Sequence, residues 1–287
     1  MMKAPAAGDR EAVVERLGDI AARLRVDALR MIHKSQSGHP GGSLSAADFF
    51  AALYFHVLNI DPGNPEWPDR DRVILSKGHA CPILYAALAN RGYFSKDHLA
   101  TLRQIDGILQ GHPDMRKTPG VDMTTGSLGV GLAAGVGMAL AARMRAKSYV
   151  TYVVIGCGEM DEGIIWEAAM AASKYQLGNL VVLCDFNKLQ LDGWNRDIMP
   201  LEPIEAKWRA FGWHTQRIDG HDISAILNAI DTALAARELP SIIIADTIKG
   251  KGVSFMENQC DWHGRAPDDE ELRRAEAELS PKGRTKS

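Results

Sequence analysis

A chain of 287 residues, 46% of them hydrophobic, can bury one large core or two small ones. Its 33 basic and 36 acidic side chains leave a formal charge of −3, so no basic surface for nucleic acid is indicated. No uncharged apolar run reaches the ~18 residues of a membrane span, and the start "MMKAPAAGDREAVVERLG" lacks the apolar core of a signal peptide.

In chain order, residues 11–33 carry Val13, Val14, Leu17, Ile20, Ala21, Leu24, Ala28 and Ile32 at helical spacing, with Arg and Glu on the other face. "SQSGHPGGSLS" (35–45) interrupts this pattern, and its three glycines and one proline predict tight turns and no helix. A helix is expected over about 46–57, a short buried strand over "RVILS" (72–76), and an apolar helix from about 82. Residues 105–127 read as a long polar loop, a length that inside a compact domain points to function. A Gly/Ala-rich helix follows.

Strand and helix then alternate. "YVTYVVI" (149–155), "LVVLCD" (180–185), "WHTQRID" (213–219) and "SIIIADT" (241–247) are strands. Helices fall near 163–177, 203–211 and 222–236. Continuous Val/Ile runs between helices predict an α/β fold, a doubly wound and mostly parallel sheet with helices on both faces. We read residues 1–265 as one domain. The tail, 266–287, is a helix capped by Asp268 with Glu271 three residues on, then a disordered "SPKGRTKS". Cys81, Cys157, Cys184 and Cys260 show no C-x-x-C spacing, so neither a zinc knuckle nor a disulfide scaffold is indicated, and a reducing cytoplasm is the default.

Ligands of doubly wound sheets bind at the carboxyl ends of strands. Four loops are expected there: "SKGHA" (76–80), "GCGEMDEG" (156–163), "DFNKLQLDG" (185–193) and "IKGKGVSF" (248–255). Glycine-rich turns with free N–H groups suit a phosphate. Any one of them is more often a plain turn, but four in one domain favour a phosphate ligand. "GVGLAAG" (129–135) imitates a dinucleotide fingerprint but follows a polar loop instead of a strand, so its glycines are expected to serve helix packing. His39, His79, His112 and His263 each stand beside glycine in an expected loop, which points to a site needing several proton carriers or neutral donors. His33, His56, His98, His214 and His221 read as ordinary surface or helix residues.

Taken together, "SGHPGG" (37–42), "SKGHA", "GHPD" (111–114), "TTGSLGVG" (124–131), "GCGEMDEG", "DFNKLQLDG" and "WHG" (262–264) resemble the amino-terminal, diphosphate-binding half of transketolase, in order and in spacing. The likeness runs from about residue 15 to 265. Between Gly158 and Asn187 lie 28 residues, which suits the G-D-G…N pattern of thiamine-diphosphate enzymes. The histidine segments narrow the likeness to transketolase, with 1-deoxyxylulose-phosphate and dihydroxyacetone synthases as neighbouring alternatives.

The resemblance implies transfer of a two-carbon ketol unit from a ketose to an aldose through thiamine diphosphate and Mg²⁺. It implies that His79 and His263 contact the diphosphate and line the substrate channel. It places His39 and His112 on the sugar's reacting oxygens. Gly126, Ser127 and Leu128 would pack on the cofactor, with Gly156, Gly158 and Glu159 around the diphosphate. Cys157, Asn187 and the Leu189 carbonyl would stand at the metal, and Glu162 and Glu167 at a subunit interface.

There are two departures from the family. Whole transketolases continue into a pyrimidine-binding domain and a third domain, so the resemblance implies a carboxy-terminal partner subunit in an α2β2 assembly. Cys157 also stands where the family has a metal-binding aspartate. Mg²⁺ is hard and favours oxygen, and thiolate is soft, so weaker Mg²⁺ and cofactor retention are expected. Three outcomes are open: a tolerated change, a subunit that binds or regulates without catalysis, or a softer divalent metal. Glu159 or Asp161 could reach inward to replace the lost carboxylate, and a Cys157–Cys184 metal pair is conceivable.

Overall fold

The computed structural model describes residues 7–280, and the side chains of residues 9–280. Of the expected disordered tail, residues 281–287 lie outside that range. Five strands form one sheet in the order β1-β2-β3-β5-β4, all parallel. They are β1 (Arg72–Leu75), β2 (Thr151–Gly156), β3 (Leu180–Phe186), β4 (His214–Asp219) and β5 (Ser241–Asp246). The apolar runs of β2, β3 and β5 are buried on both faces because helices cover both. On one face, Tyr152, Val154, Leu183 and Ile243 join a core with residues of α1 (Ala7–Ser35), α3 (Ala47–Ala52), α4 (Cys81–Arg91) and α9 (Ile223–Ala235). On the other, Val153, Ile155, Val182 and Ile244 join residues of α5 (Val130–Met144), α6 (Gly163–Lys174) and α8 (Ile204–Ala210). The fold is therefore the expected doubly wound α/β sheet.

One expectation fails. Residues Pro40–Ser45 form a buried helix, α2, where tight turns were predicted. Pro40 opens it at a position where the missing N–H costs nothing and the fixed φ suits a helix. The glycines serve closeness: a Cβ on Gly41 would stand 2.9 Å from the Trp262 carbonyl oxygen. Packing thus outweighs the ~1 kcal/mol helix penalty of each glycine. The next expected helix is also divided. α3 ends at Ala52, and Leu53–Val57 continue as a π-helical turn.

A smaller core of Leu29, Leu44, Val253, Met256, Trp262, Ala275 and Leu279 fastens the chain's end to α1 and α2. It includes α10 (Asp269–Leu279), whose capping box joins Asp268 and Glu271 as expected. This packing brings His263 back to the carboxyl edge of the sheet.

The glycines of α5 let it lie against the sheet, as the sequence indicated. A Cβ on Gly131 would come 2.5 Å from Ser76 Oγ and 2.6 Å from Ser76 Cα, and one on Gly135 would come 2.6 Å from Val153 Cγ2. Gly131→Ala should therefore lower unfolding free energy by about 1–3 kcal/mol through overpacking. A urea titration of the two proteins checks this, and an unchanged midpoint would contradict the packing account.

Candidate active site

The carboxyl ends of four strands are brought level by the register, with Leu75 paired to Val154, Gly156 to Asp185, and Phe186 to Asp246. Above them lies a cavity of about 380 Å³ lined by His39, Gly42, Lys77, His79, Gly126, Leu128, Gly156, Cys157, Gly158, Glu159, Asn187, Leu189, Gln190, Leu191, Lys249 and His263. All four expected loops contribute. The 105–127 loop is tied down by Tyr85 Oη, 3.0 Å from the carbonyl oxygens of both Gln110 and His112. Thr125 Oγ1 donates to Leu75 O at 2.7 Å, which sets Gly126 and Leu128 at the end of β1.

At the floor, Asp185 is fully buried and accepts from Lys77 Nζ (2.5 Å), Ser45 Oγ (2.5 Å), Asn187 Nδ2 (3.1 Å) and the Thr247 hydroxyl. Burial pushes this carboxyl up, but the Lys77 ammonium and the donated hydrogen bonds outweigh burial and hold it below the usual range. A second ammonium, Lys249, is 2% exposed. Its Nζ meets Gln190 O at 2.9 Å, Leu189 O at 3.3 Å and His263 Nδ1 at 2.9 Å. Burial pulls Lys249 down to about 8.

Three imidazoles form the wall. The ring centres of His39 and His79 are 5.0 Å apart, and His263 is 5.3 Å from each. Burial, reinforced by neighbouring cations, lowers His39 to about 4, His79 to about 2 and His263 to about 3. All three are neutral near pH 7. His39 Nδ1 is buried without a hydrogen-bond partner, an atom that a ligand would satisfy. Two buried ammoniums, glycine backbone and neutral imidazoles suit an anion, and so fit a diphosphate.

The metal-binding set does not fit. Burial, then the Asp185 charge, push the buried Cys157 thiol up, so it is neutral. Asn187 Oδ1 accepts from Leu189 N at 3.1 Å and lies 3.6 Å from Cys157 Sγ. Glu159 and Asp161 are both engaged elsewhere. Glu159 is spent on the Ser76 hydroxyl and on the N–H groups of Gly129 (2.7 Å) and Gly156 (3.0 Å). Asp161 accepts from Gln190 Nε2 at 2.7 Å. Among the described residues, no group of three or more His, Cys, Asp or Glu side chains could hold a metal ion, so Cys157 and Cys184 complete no such site.

Other expected residues lie apart. His112 is exposed and does not line the cavity, although its charge bears on His39. Ser127 is exposed and outside the lining. Glu162 and Glu167 are exposed at the start and on the outer side of α6. His221 is no ordinary surface residue. Its Nδ1 meets Asp48 Oδ2 at 2.7 Å, its Nε2 accepts from Ile248 N at 2.8 Å, and Asp48 is paired with Arg25 at 2.5 Å. That chain anchors the loop carrying Lys249. Sequence reading missed Lys77 and Lys249, though both stand beside glycine at expected strand ends.

The neutral imidazoles couple stability to pH. Each has a folded pKa below its unfolded value near 6.5, so the unfolded chain binds more protons at acid pH. Their contribution is complete above about 6.5 and is lost as pH falls toward the folded values. Urea midpoints should therefore drop between pH 7 and 5, and His79→Gln should flatten the slope. A midpoint that is level or rises on acidification would contradict neutral burial.

Comparison with known proteins identifies the family. Residues 18–284 match the family model described as transketolase, thiamine diphosphate binding domain. The chain is 51% identical over 260 residues to the 6-deoxy-6-sulfo-D-fructose transketolase subunit SqwG of Clostridium sp. (strain MSTE9), covering 91% of this chain and 94% of that protein. It is 39% identical to an apulose-4-phosphate transketolase subunit of Phocaeicola vulgatus, covering 93% and 95%. The solved transketolase of Leishmania mexicana superposes with a TM-score of 0.89 at 31% identity, covering 94% of this chain and 42% of that one. The chain thus spans about two-fifths of that solved transketolase, but nearly the full length of the two subunit-type relatives. It belongs to the transketolase family, as its thiamine diphosphate-binding domain.

Proposed function

We propose that this chain is the amino-terminal subunit of a two-subunit transketolase, moving a two-carbon ketol unit from a ketose to an aldose. The observation that carries the reading is the cavity itself, where two buried ammoniums and three neutral imidazoles surround a glycine floor. Residues 1–265 are read as the diphosphate-binding domain and 266–287 as its tail.

Bound thiamine diphosphate would supply the carbon nucleophile that carries the transferred unit. The chain's own groups hold and orient. Gly158 begins a 3₁₀ turn, so its N–H has no partner within that turn and is available to the diphosphate. Lys249, His79 and His263 complete the anion's surroundings, while Gly126 and Leu128 offer a surface to the rings. Neutral His39 can accept from a sugar hydroxyl or donate to a carbonyl oxygen, and a bound anion would raise its proton affinity toward working pH. His112 at the rim would take the same part once a sugar closes over it.

The partner is a carboxy-terminal transketolase subunit bearing the pyrimidine-binding half, in an α2β2 assembly with Glu162 and Glu167 at the contact between protomers. The two subunit-type relatives are named for a sulfonated and a phosphorylated sugar. An anionic ketose is the donor we propose here, and a cytoplasmic setting suits it.

The test is reconstitution. Neither of the two proteins by itself should transfer a ketol unit, and the purified pair should. His39→Ala in the pair should lower kcat/KM by about 10²–10⁴-fold. Turnover by this chain alone, or a fully active His39→Ala pair, would sink the reading.

A further inference from the structure

Cys157 stands where the resemblance to transketolase implies a metal-binding carboxylate, and Glu159 and Asp161 do not replace it, being committed to Ser76, Gly129, Gly156 and Gln190. What the cavity does hold is a built-in cation, Lys249. Lys249 Nζ is 3.3 Å from Leu189 O, the carbonyl expected to ligate the metal, and 2.9 Å from Gln190 O. A Mg²⁺ ion bound to that carbonyl at about 2.1 Å would stand within roughly 5.5 Å of this ammonium. No anionic protein ligand would lie between them. The Asn187 oxygen is already engaged by Leu189 N, and the remaining donor is sulfur, which a hard ion disfavours.

We propose that this chain neutralises the diphosphate with Lys249 in place of a divalent cation, and so takes thiamine diphosphate without bound metal. The proposal rests on the reading of the cavity as a diphosphate site. The ammonium is built in on three sides. Leu189 and Gln190 offer it carbonyl oxygens, and His263 offers Nδ1, so Nε2 of that ring is free to carry its proton toward the ligand. The loop bearing Lys249 is in turn fixed by the Ile248 hydrogen bond to His221 and by Gly250 N donating to Gly41 O at 3.0 Å. A lysine so held gives a fixed positive charge with no need to recruit an ion.

The test is calorimetric titration of the metal-stripped chain with thiamine diphosphate, in EDTA and in Mg²⁺, with inorganic diphosphate as a second probe. Wild type should bind with affinities within about twofold in the two buffers. Lys249→Met should weaken binding about tenfold or more in both, as loss of a charge-assisted contact does. Cys157→Asp should acquire Mg²⁺ dependence, binding about tenfold or more tighter with the ion than in EDTA. Circular dichroism melts show whether each variant is folded, and His221→Asn, which loosens the lysine loop without removing a charge, should weaken both buffers alike.

Wild-type binding that needs Mg²⁺ would overturn the proposal while leaving the diphosphate reading intact. So would binding by Cys157→Asp with Mg²⁺ when wild type binds in neither buffer. Failure of every protein to bind either probe would overturn the diphosphate reading and the proposal with it.

Discussion

The carboxyl edge of the sheet is organised around one buried carboxylate. Asp185, at the end of the central strand β3, gathers Lys77 from the end of β1, Ser45 from α2, Thr247 from the end of β5, and Asn187 from its own loop. Four of the segments that frame the cavity are tied to this one side chain, while Thr125 and Glu159 hold the loops that carry Gly126 and Gly156. Removing one member of such a buried pair typically costs about 3–5 kcal/mol, because the other charge is left uncompensated. The pair therefore contributes more to geometry than to net stability: it fixes where the loops begin. Lys77 gives a second N–H to Gly42 O at 2.8 Å, which draws the glycine helix to the floor of the site.

Asp185 is paired with Lys77, and Glu159 accepts from backbone amides, so the contacts of Lys249 are two carbonyl oxygens and an imidazole and include no carboxylate. The imidazoles cannot add charge either, since burial keeps them neutral. An anion entering the cavity would meet the Lys249 ammonium and neutral imidazoles. Cofactor binding in this cavity would thus be coupled to proton affinity. A diphosphate bound there would strengthen the hold of Lys249 and the imidazoles on their protons, bringing His39 and His263 closer to the range in which they can exchange them.

Much of this was legible in the sequence. The Val/Ile runs of β2, β3 and β5 marked a sheet covered on both faces, and the glycine-flanked His39, His79 and His263 do converge. The α2 helix was hidden because propensity argues against Gly41 and Gly42, whereas contact with Trp262 and Lys249, far away in sequence, decides it. Lys77 and Lys249 were passed over because a lysine reads as surface until its partners are known. His221 was missed for a similar reason. Nothing local to "DGHDIS" points to Asp48 or Ile248, and only the fold brings them within hydrogen-bonding distance. Cys157 was conspicuous from the start, but its consequence depended on where Glu159, Asp161 and Lys249 point.

In the proposed reading this chain grips the phosphate end of the cofactor. The most direct measurement is nuclear magnetic resonance of the ligand with the chain alone. Both ³¹P signals of thiamine diphosphate should broaden or shift on titration, and thiamine lacking the diphosphate should show no saturation transfer from the protein. Saturation transfer to thiamine with unchanged ³¹P signals from thiamine diphosphate would place recognition elsewhere and contradict the account.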